Sequence, residues 1–409
     1  MRNLSGCQVF KDNDLPNDWD CAPLKERIEL AYGRALHEED RKQGPVDVYG
    51  SNGKVGKHSQ SLVDAPGILV GRKGTVGAVH YAVQPFWPID TVYFVRTLSN
   101  DNLRYVFHLL NYLPLQKLNA ATGVPGLSRR DAYALRGAFP PPEEQDAIAR
   151  ILDAVDMSIE QTYESLKQAG LLKKALLQSF FNFELCSVPL IKTEFGYIPK
   201  TWEWVKGKKA FIILGSGPSE SSIKYSDKQV KPDAWFMKVD DFNNPANRRT
   251  IVQTKVGFHT DANPTIKLLP KGTLIIAKRG AAILKNRVRI SAVPLVLDPN
   301  LMGIQMNDGI MPEFFAYQLE WRNLSRFLED SGIPQMNNKD LYPRYFLKAL
   351  PEEQRKIVST IKAAEDYEDA LWDQLDAYEK LKNALMHDLL TGKVRVNRVI
   401  DQILSLEAS

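Results

Sequence analysis

The residues that look most like chemistry in this 409-residue chain are near misses. Gly50 to His58 resembles a phosphate-cradling loop, but its glycine spacing is wrong and His58 stands where a serine or threonine belongs. Gly215–Ser216–Gly217 lacks the third glycine of a dinucleotide site. Asn244–Pro245–Ala246 has neither the second proline nor the aromatic end of an Asn-Pro-Pro methyltransferase box, so base-modifying chemistry is not expected in this chain. The six histidines form no HExxH pair and the cysteines no cluster, so no zinc site is expected. Glu143 with Glu144, and Glu352 with Glu353, could be imagined as acid–base pairs. Each pair follows a proline at a helix start, where capping and the helix dipole already account for carboxylates. No catalytic residue and no metal ligand is expected, and the chain reads as a binding protein.

The elements that carry these residues are duplicated. Pro142 to Phe181 and Pro351 to Leu390 align without a gap at an offset of 209, and the alignment continues upstream. There Thr122–Gly123–Val124–Pro125 lies over Ser331–Gly332–Ile333–Pro334, and Asp131 and Tyr133 lie over Asp340 and Tyr342. A fixed offset held over such a length indicates internal duplication. Each copy predicts one long helix: proline suits the first turn, and apolar residues then recur at spacings of three and four. The expected seam is Ile148, Leu152, Val155, Ile159, Leu166 and Leu176 in the first copy. In the second it is Ile357, Ile361, Leu371, Leu375, Leu385 and Leu389. This heptad pattern predicts that the two helices pair as a coiled coil, with Lys173 and Lys382 at the same seam position. Two unrelated amphipathic helices, each docked on its own domain, would show the same periodicity.

Composition is that of an ordinary soluble protein, 25% charged and 44% apolar, with a net charge of only +4. Any nucleic-acid binding must therefore come from local patches. No apolar run is long enough to span a bilayer and no signal-peptide core is present, so no membrane association is expected. Cys7, Cys21 and Cys186 fit a reducing, cytoplasmic location. The order predicted is a globular unit over 1–139, a long helix and connector over 140–200, and a second unit over 201–349. A second helix follows over 350–396, then a tail over 397–409. Leu15–Pro16–Asn17–Asp18–Trp19 is echoed by Ile198–Pro199–Lys200–Thr201–Trp202 at the head of the second unit. Asn52–Gly53 predicts a hairpin turn. Gly67 to Gly74 and Gly272 to Gly280 each predict a buried strand ending in a basic, glycine-flanked turn. The second unit also gathers Lys206, Lys208, Lys209, Arg248, Arg249, Lys285, Arg287 and Arg289. The fold class expected is α+β: two similar units separated by two long helices, an internal pseudo-two-fold repeat.

With these features together, the chain resembles the specificity (S) subunits of Type I restriction–modification enzymes. The doubled PEEQ-led helix, the Leu389–Leu390–Thr391–Gly392–Lys393 ending, the Ile198 to Trp202 marker and the two glycine-rich stretches carry the resemblance. It implies two target recognition domains, with the long helices pairing antiparallel between them. It also implies that the subunit itself is non-catalytic. Its partners would be double-stranded DNA, two methyltransferase subunits carrying S-adenosylmethionine, and two restriction subunits using ATP and magnesium. Candidate DNA contacts are then Tyr49, Ser51, Asn52, Lys54, Arg72 and Lys73 in the first unit. Ser216, Ser219, Lys278 and Arg279 are their counterparts in the second. The same charges would also serve as solvated turn residues. A scaffold that joins proteins without reading DNA, and a stand-alone nuclease with an unrecognised site, are the other classes open. The first helix copy ends Ser179–Phe180–Phe181 where the family has Leu-Leu-Thr-Gly, which leaves its exit path undetermined.

Overall fold

The computed structural model of the protein describes residue 10 and residues 15–118, 126–215, 217–224, 231–328 and 334–396. The chain parts into two compact units, Met1–Glu164 with Trp372–Ser409, and Ser165–Leu371. The division runs through the long helices rather than at their ends, so each unit owns half of each helix.

In the first unit, strands Ile28–Tyr32, Val92–Thr97, Gly67–Gly71 and Val79–Ala82 lie in that order in one antiparallel sheet. A second sheet orders Gly53–His58, Val46–Gly50 and Phe86–Pro88, the last two parallel. A ribbon of Asp20–Pro23 and Arg136–Phe139 closes the lobe beside the first long helix. The second unit repeats the plan. Its sheet orders Phe211–Leu214, Leu301–Met306, Leu274–Ala277 and Val288–Ser291, with Thr250–Ile251 added on the edge. Val256–Phe258, Ala234–Met237 and Leu295–Leu297 form the second sheet, and Glu203–Lys206 pairs with Tyr345–Lys348.

The repeat extends to single hydrogen bonds. Asp20 faces Phe139 as Glu203 faces Lys348, and Ile28 faces Thr97 as Phe211 faces Met306. The Tyr133 hydroxyl accepts from the Leu30 amide at 2.8 Å, and the Tyr342 hydroxyl from the Ile213 amide at 2.9 Å. Gln145 Oε1 accepts from the Asn102 amide and Gln354 Oε1 from the Met311 amide, both at 2.8 Å. The Nε2 groups of the same two glutamines donate to the carbonyls of Pro140 and Ala349. These buried amides tie each helix start to its lobe, since an unpaired buried amide would cost about 1–3 kcal/mol.

Both long helices run 40 residues, Pro142–Phe181 and Pro351–Leu390, about 60 Å each at 1.5 Å per residue. The second stops where Gly392 takes φ of 69°, and a Cβ there would meet Pro16 Cδ at 2.5 Å. Glycine is needed for both reasons. The first helix leaves by the same backbone turn. Phe183, the repeat counterpart of Gly392, has φ of 67°, and its ring sits edge-on to Trp202 at 5.4 Å. Ring packing there offsets a left-handed conformation that costs a non-glycine residue about 1–2 kcal/mol.

Ile148, Leu152, Leu166, Ile357, Ile361, Leu371, Leu375 and Leu389 are buried, while Val155, Ile159, Leu176 and Leu385 are half-buried. The helix ends are satisfied mainly by lobe rather than by helix. Ile148, Leu152 and Leu389 belong to the core that holds Leu30, Tyr105 and Phe139, and Ile357 and Ile361 to the one that holds Phe211 and Phe314. Between these ends helix packs on helix, running antiparallel. In the first unit Lys382 Nζ lies 2.6 Å from Asp156, and Tyr163 Oη donates to Glu379. In the second unit Lys173 Nζ lies 2.8 Å from Glu365 and 2.7 Å from Glu320. The two lysine–carboxylate pairs are repeat equivalents, 209 positions apart at both members. Burial opposes the Lys173 charge, but Glu320 and Glu365 outweigh it and raise its pKa.

Candidate nucleic-acid interface

A basic turn recurs at the same place in both lobes, and main-chain atoms fix it. In the first unit the Arg72 amide donates to Thr91 O at 2.9 Å and the Leu127 amide to Arg72 O at 2.8 Å. In the second the Lys278 amide donates to Asn300 O at 2.7 Å and the Met336 amide to Lys278 O at 2.9 Å. Lys73 bridges to Gly126 and Arg279 to Gln335. The turn therefore lies against the residues that follow the Thr122–Pro125 and Ser331–Pro334 motifs. Of those motifs only Pro334 lies within the described residues.

The hairpin predicted at Asn52–Gly53 is present, with Gly50 facing Gly53 across Ser51 and Asn52. Ser51 O lies 3.2 Å from His80 Nε2, and Ser51 Oγ would be 3.3 Å from a Cβ on Gly74. Hairpin tip and basic turn are thus one surface, with Asn52 exposed and Ser51, Arg72 and Lys73 half-buried. Lys54 is exposed but paired to Asp47 at 2.8 Å. Tyr49 is not on this surface. It is 7% exposed and packs edge-on to Phe86, because the bulge between Val48 and Tyr49 turns its ring into the core between the sheets. In the second unit Lys278 is half-buried and Arg279 exposed. Ser219 is exposed in a hydroxyl cluster with Ser221 and Ser222, and Ser216 lies outside the described residues.

Two site residues escaped the sequence reading. Tyr32 is 49% exposed, and the guanidinium groups of Arg72, at 4.9 Å, and Arg129, at 4.4 Å, both lie over its ring. Arg72 is held in place by donating Nη1 to Asp90 O at 2.8 Å. Arg129 also enters an open groove with Lys25, Arg130 and Arg136. The paired arginines after Ser128 were the available signal. Their distance in sequence from Arg72 hid the stack. Three arginines of the basic cluster expected in the second unit are, by contrast, committed to partners within the chain. Arg249 pairs with Asp366 and Asp369, Arg287 donates to Asn243 Oδ1, and Arg289 to Asn247 O.

The helix-start carboxylates also part company. Glu144 is buried, where it accepts from Trp19 Nε1 at 3.0 Å and pairs with Arg395 at 2.8 Å. It is a tether to the Thr391–Val396 segment and offers no surface. Glu353 keeps a capping contact, accepting from the Leu350 amide at 3.3 Å. Among the described residues one group has metal-ligand composition, His108 with Asp153 and Asp156. Its carboxylates are already met by Arg104 and Lys382, so it reads as an ion-pair cluster.

Residues 16–168 match the family model of the Type I restriction modification DNA specificity domain. The chain is 24% identical over 322 residues to the Type I restriction enzyme MjaVIII specificity subunit of Methanocaldococcus jannaschii, covering 72% of this chain and 71% of that one. It is 24% identical to the MjaIX specificity subunit of the same organism over 95% of this chain and 97% of that one. By these matches the chain is similar to type I specificity subunits, in its first lobe by the family model and along most of its length by its relatives. In fold, the crystal structure of a Type I restriction–modification S subunit from M. genitalium is similar at a TM-score of 0.62. That likeness has 14% sequence identity and covers 93% of this chain and 98% of that one. Within the family's DNA specificity domain as matched here lie the hairpin tip, the Arg72–Lys73 turn and the Tyr32 stack. No helix among the described residues is long and apolar enough to cross a membrane.

Proposed function

We propose that this chain reads a bipartite, asymmetric DNA target with an unread spacer and directs methyltransferase and restriction subunits to it. One observation carries the reading: both lobes hold a basic turn by equivalent main-chain hydrogen bonds, while the side chains it presents differ. Equal frames with unequal side chains are what two unlike half-sites require. In this reading Ser51, Asn52, Arg72 and Lys73 serve one half-site, joined by Tyr32 and Arg129. Ser219, Lys278 and Arg279, with Ser216, serve the other. Arginine and lysine neutralise phosphates or meet guanine edges, and asparagine and serine meet base edges. The length of the paired helices would set the spacer. The bases would be modified by S-adenosylmethionine on the partner methyltransferase, with ATP and magnesium used by the restriction subunits.

Sequencing of methylated adenines in cells that express this chain with its methyltransferase partner tests the proposal. A two-part motif is expected, and Arg279→Ala is expected to relax one part only, by about 1–3 kcal/mol at the affected base pair. A single continuous motif, or equal relaxation of both parts, would contradict it. A scaffold that does not read DNA would leave the motif unchanged when lobes are exchanged between chains.

A further inference from the structure

The repeat also shows where the two units differ beneath their surface. In the first unit Val396 is buried in the same core as Trp19, Ile148 and Leu389. The repeat counterparts of those three in the second unit are Trp202, Ile357 and Phe180, and they line a pocket of about 130 Å³. Val396 is replaced there by Ser187, which is exposed. The walls are kept and the plug has changed from an isopropyl group to a hydroxymethyl.

The polar groups differ in step. Trp19 Nε1 donates to Glu144. Trp202 is 7% exposed, yet its Nε1 is buried without a hydrogen-bond partner, because Glu353 is turned toward Thr201 and the Leu350 amide. That N–H is closed off from the pocket as well as unpaired, so what the pocket offers is the apolar wall of the Trp202 ring. Its volume, about four waters' worth, suits one aliphatic side chain.

We infer that this pocket is a docking site for a protein partner. The partner would insert one valine-sized side chain against the Trp202 ring, where Ser187 leaves the space that Val396 fills in the first unit. The partner thereby supplies to the second unit what Val396 supplies to the first. The pocket itself does not depend on how the chain reads DNA. Only the partner's identity as the methyltransferase rests on the proposed function.

The full chain labelled with 5-fluorotryptophan tests this by fluorine NMR, the Trp202 signal being assigned with Trp202→Phe. N-acetyl-valinamide is expected to shift that signal saturably, and N-acetyl-glycinamide to bind at least tenfold more weakly. Ser187→Val should abolish the response and raise the melting temperature. Ser187→Thr, a smaller change, should weaken the response several-fold if the valine variant folds poorly. Equal responses to the two amides, or a response that survives both substitutions, would overturn the site. In the complex assembled with the methyltransferase, the Trp202 signal should move in the same direction and Ser187→Val should weaken association at least tenfold. A methylated target that is normal while the Trp202 signal stays unmoved would overturn the partner assignment and leave the DNA reading intact.

Discussion

His108 is buried, with Nε2 lying 2.7 Å from Asp153 Oδ1 and Nδ1 without a partner among the described residues. This suits a neutral ring that donates through Nε2 and leaves a bare lone pair on Nδ1. Burial lowers the His108 pKa, and the Asp153 contact only partly opposes it. Asp153, Asp156 and Arg104 are the charged groups that act on it, and Lys382 pairs with Asp156 behind them. With the folded pKa below the unfolded one, the unfolded chain binds the proton more readily. Stability is then full above the ordinary histidine range near 6.5 and falls as pH drops below it. Thermal melting of the first unit should therefore decline between pH 7 and 5, and His108→Gln should flatten that slope. A slope that His108→Gln leaves unchanged would place the sensitivity elsewhere. Single residues were the least legible scale. Glu144 looks like a helix-start carboxylate in sequence, and only its meeting with Arg395, far along the chain, makes it a tether. Gln145 and Gln354 sit on the seam period, seven residues before Leu152 and Ile361. As polar side chains they drop out of an apolar pattern, and only the structure shows them as buried anchors.

The long helices were legible to their first and last residues, since proline with two carboxylates marks each start and the seven-residue period runs unbroken. What periodicity did not separate was the identity of the partner surface. An apolar stripe looks alike whether it meets another helix or a sheet, and here it does the first in mid-helix and the second at the ends. The seam lysines resolve the pairing where apolar residues do not, since a charge at such a position tolerates few registers. Lys382 and Asp156 are each 26% exposed, so solvent screens part of their attraction. A double-mutant cycle with Lys382→Ala and Asp156→Ala should still return a coupling of about 1 kcal/mol, read from denaturant melts. Strict additivity would reduce the pair to two independent surface charges.

At the scale of the molecule, duplication was visible at once and proved deeper than the matching letters. Strand order, ribbon register and the Tyr133 and Tyr342 hydrogen bonds all recur, although the lobes share little sequence outside the helices. The lobes' sheets were less legible because their strands are short and their pairings link distant residues. If helix length sets the spacer, one heptad added to each helix lengthens the pair by about 10 Å. That is about three base pairs of duplex. Methylation mapping should find the two target parts moved apart by that amount, and an unaltered gap would show that something else fixes it.

The main-chain frame of the basic turns has one consequence for how such a chain changes over generations. Amides and carbonyls hold the loop, so replacing Lys73 or Arg279 removes no bond on which the lobe's folding relies. Variants at those positions should stay folded while their preferred bases drift, which lets a lineage try new targets by small steps.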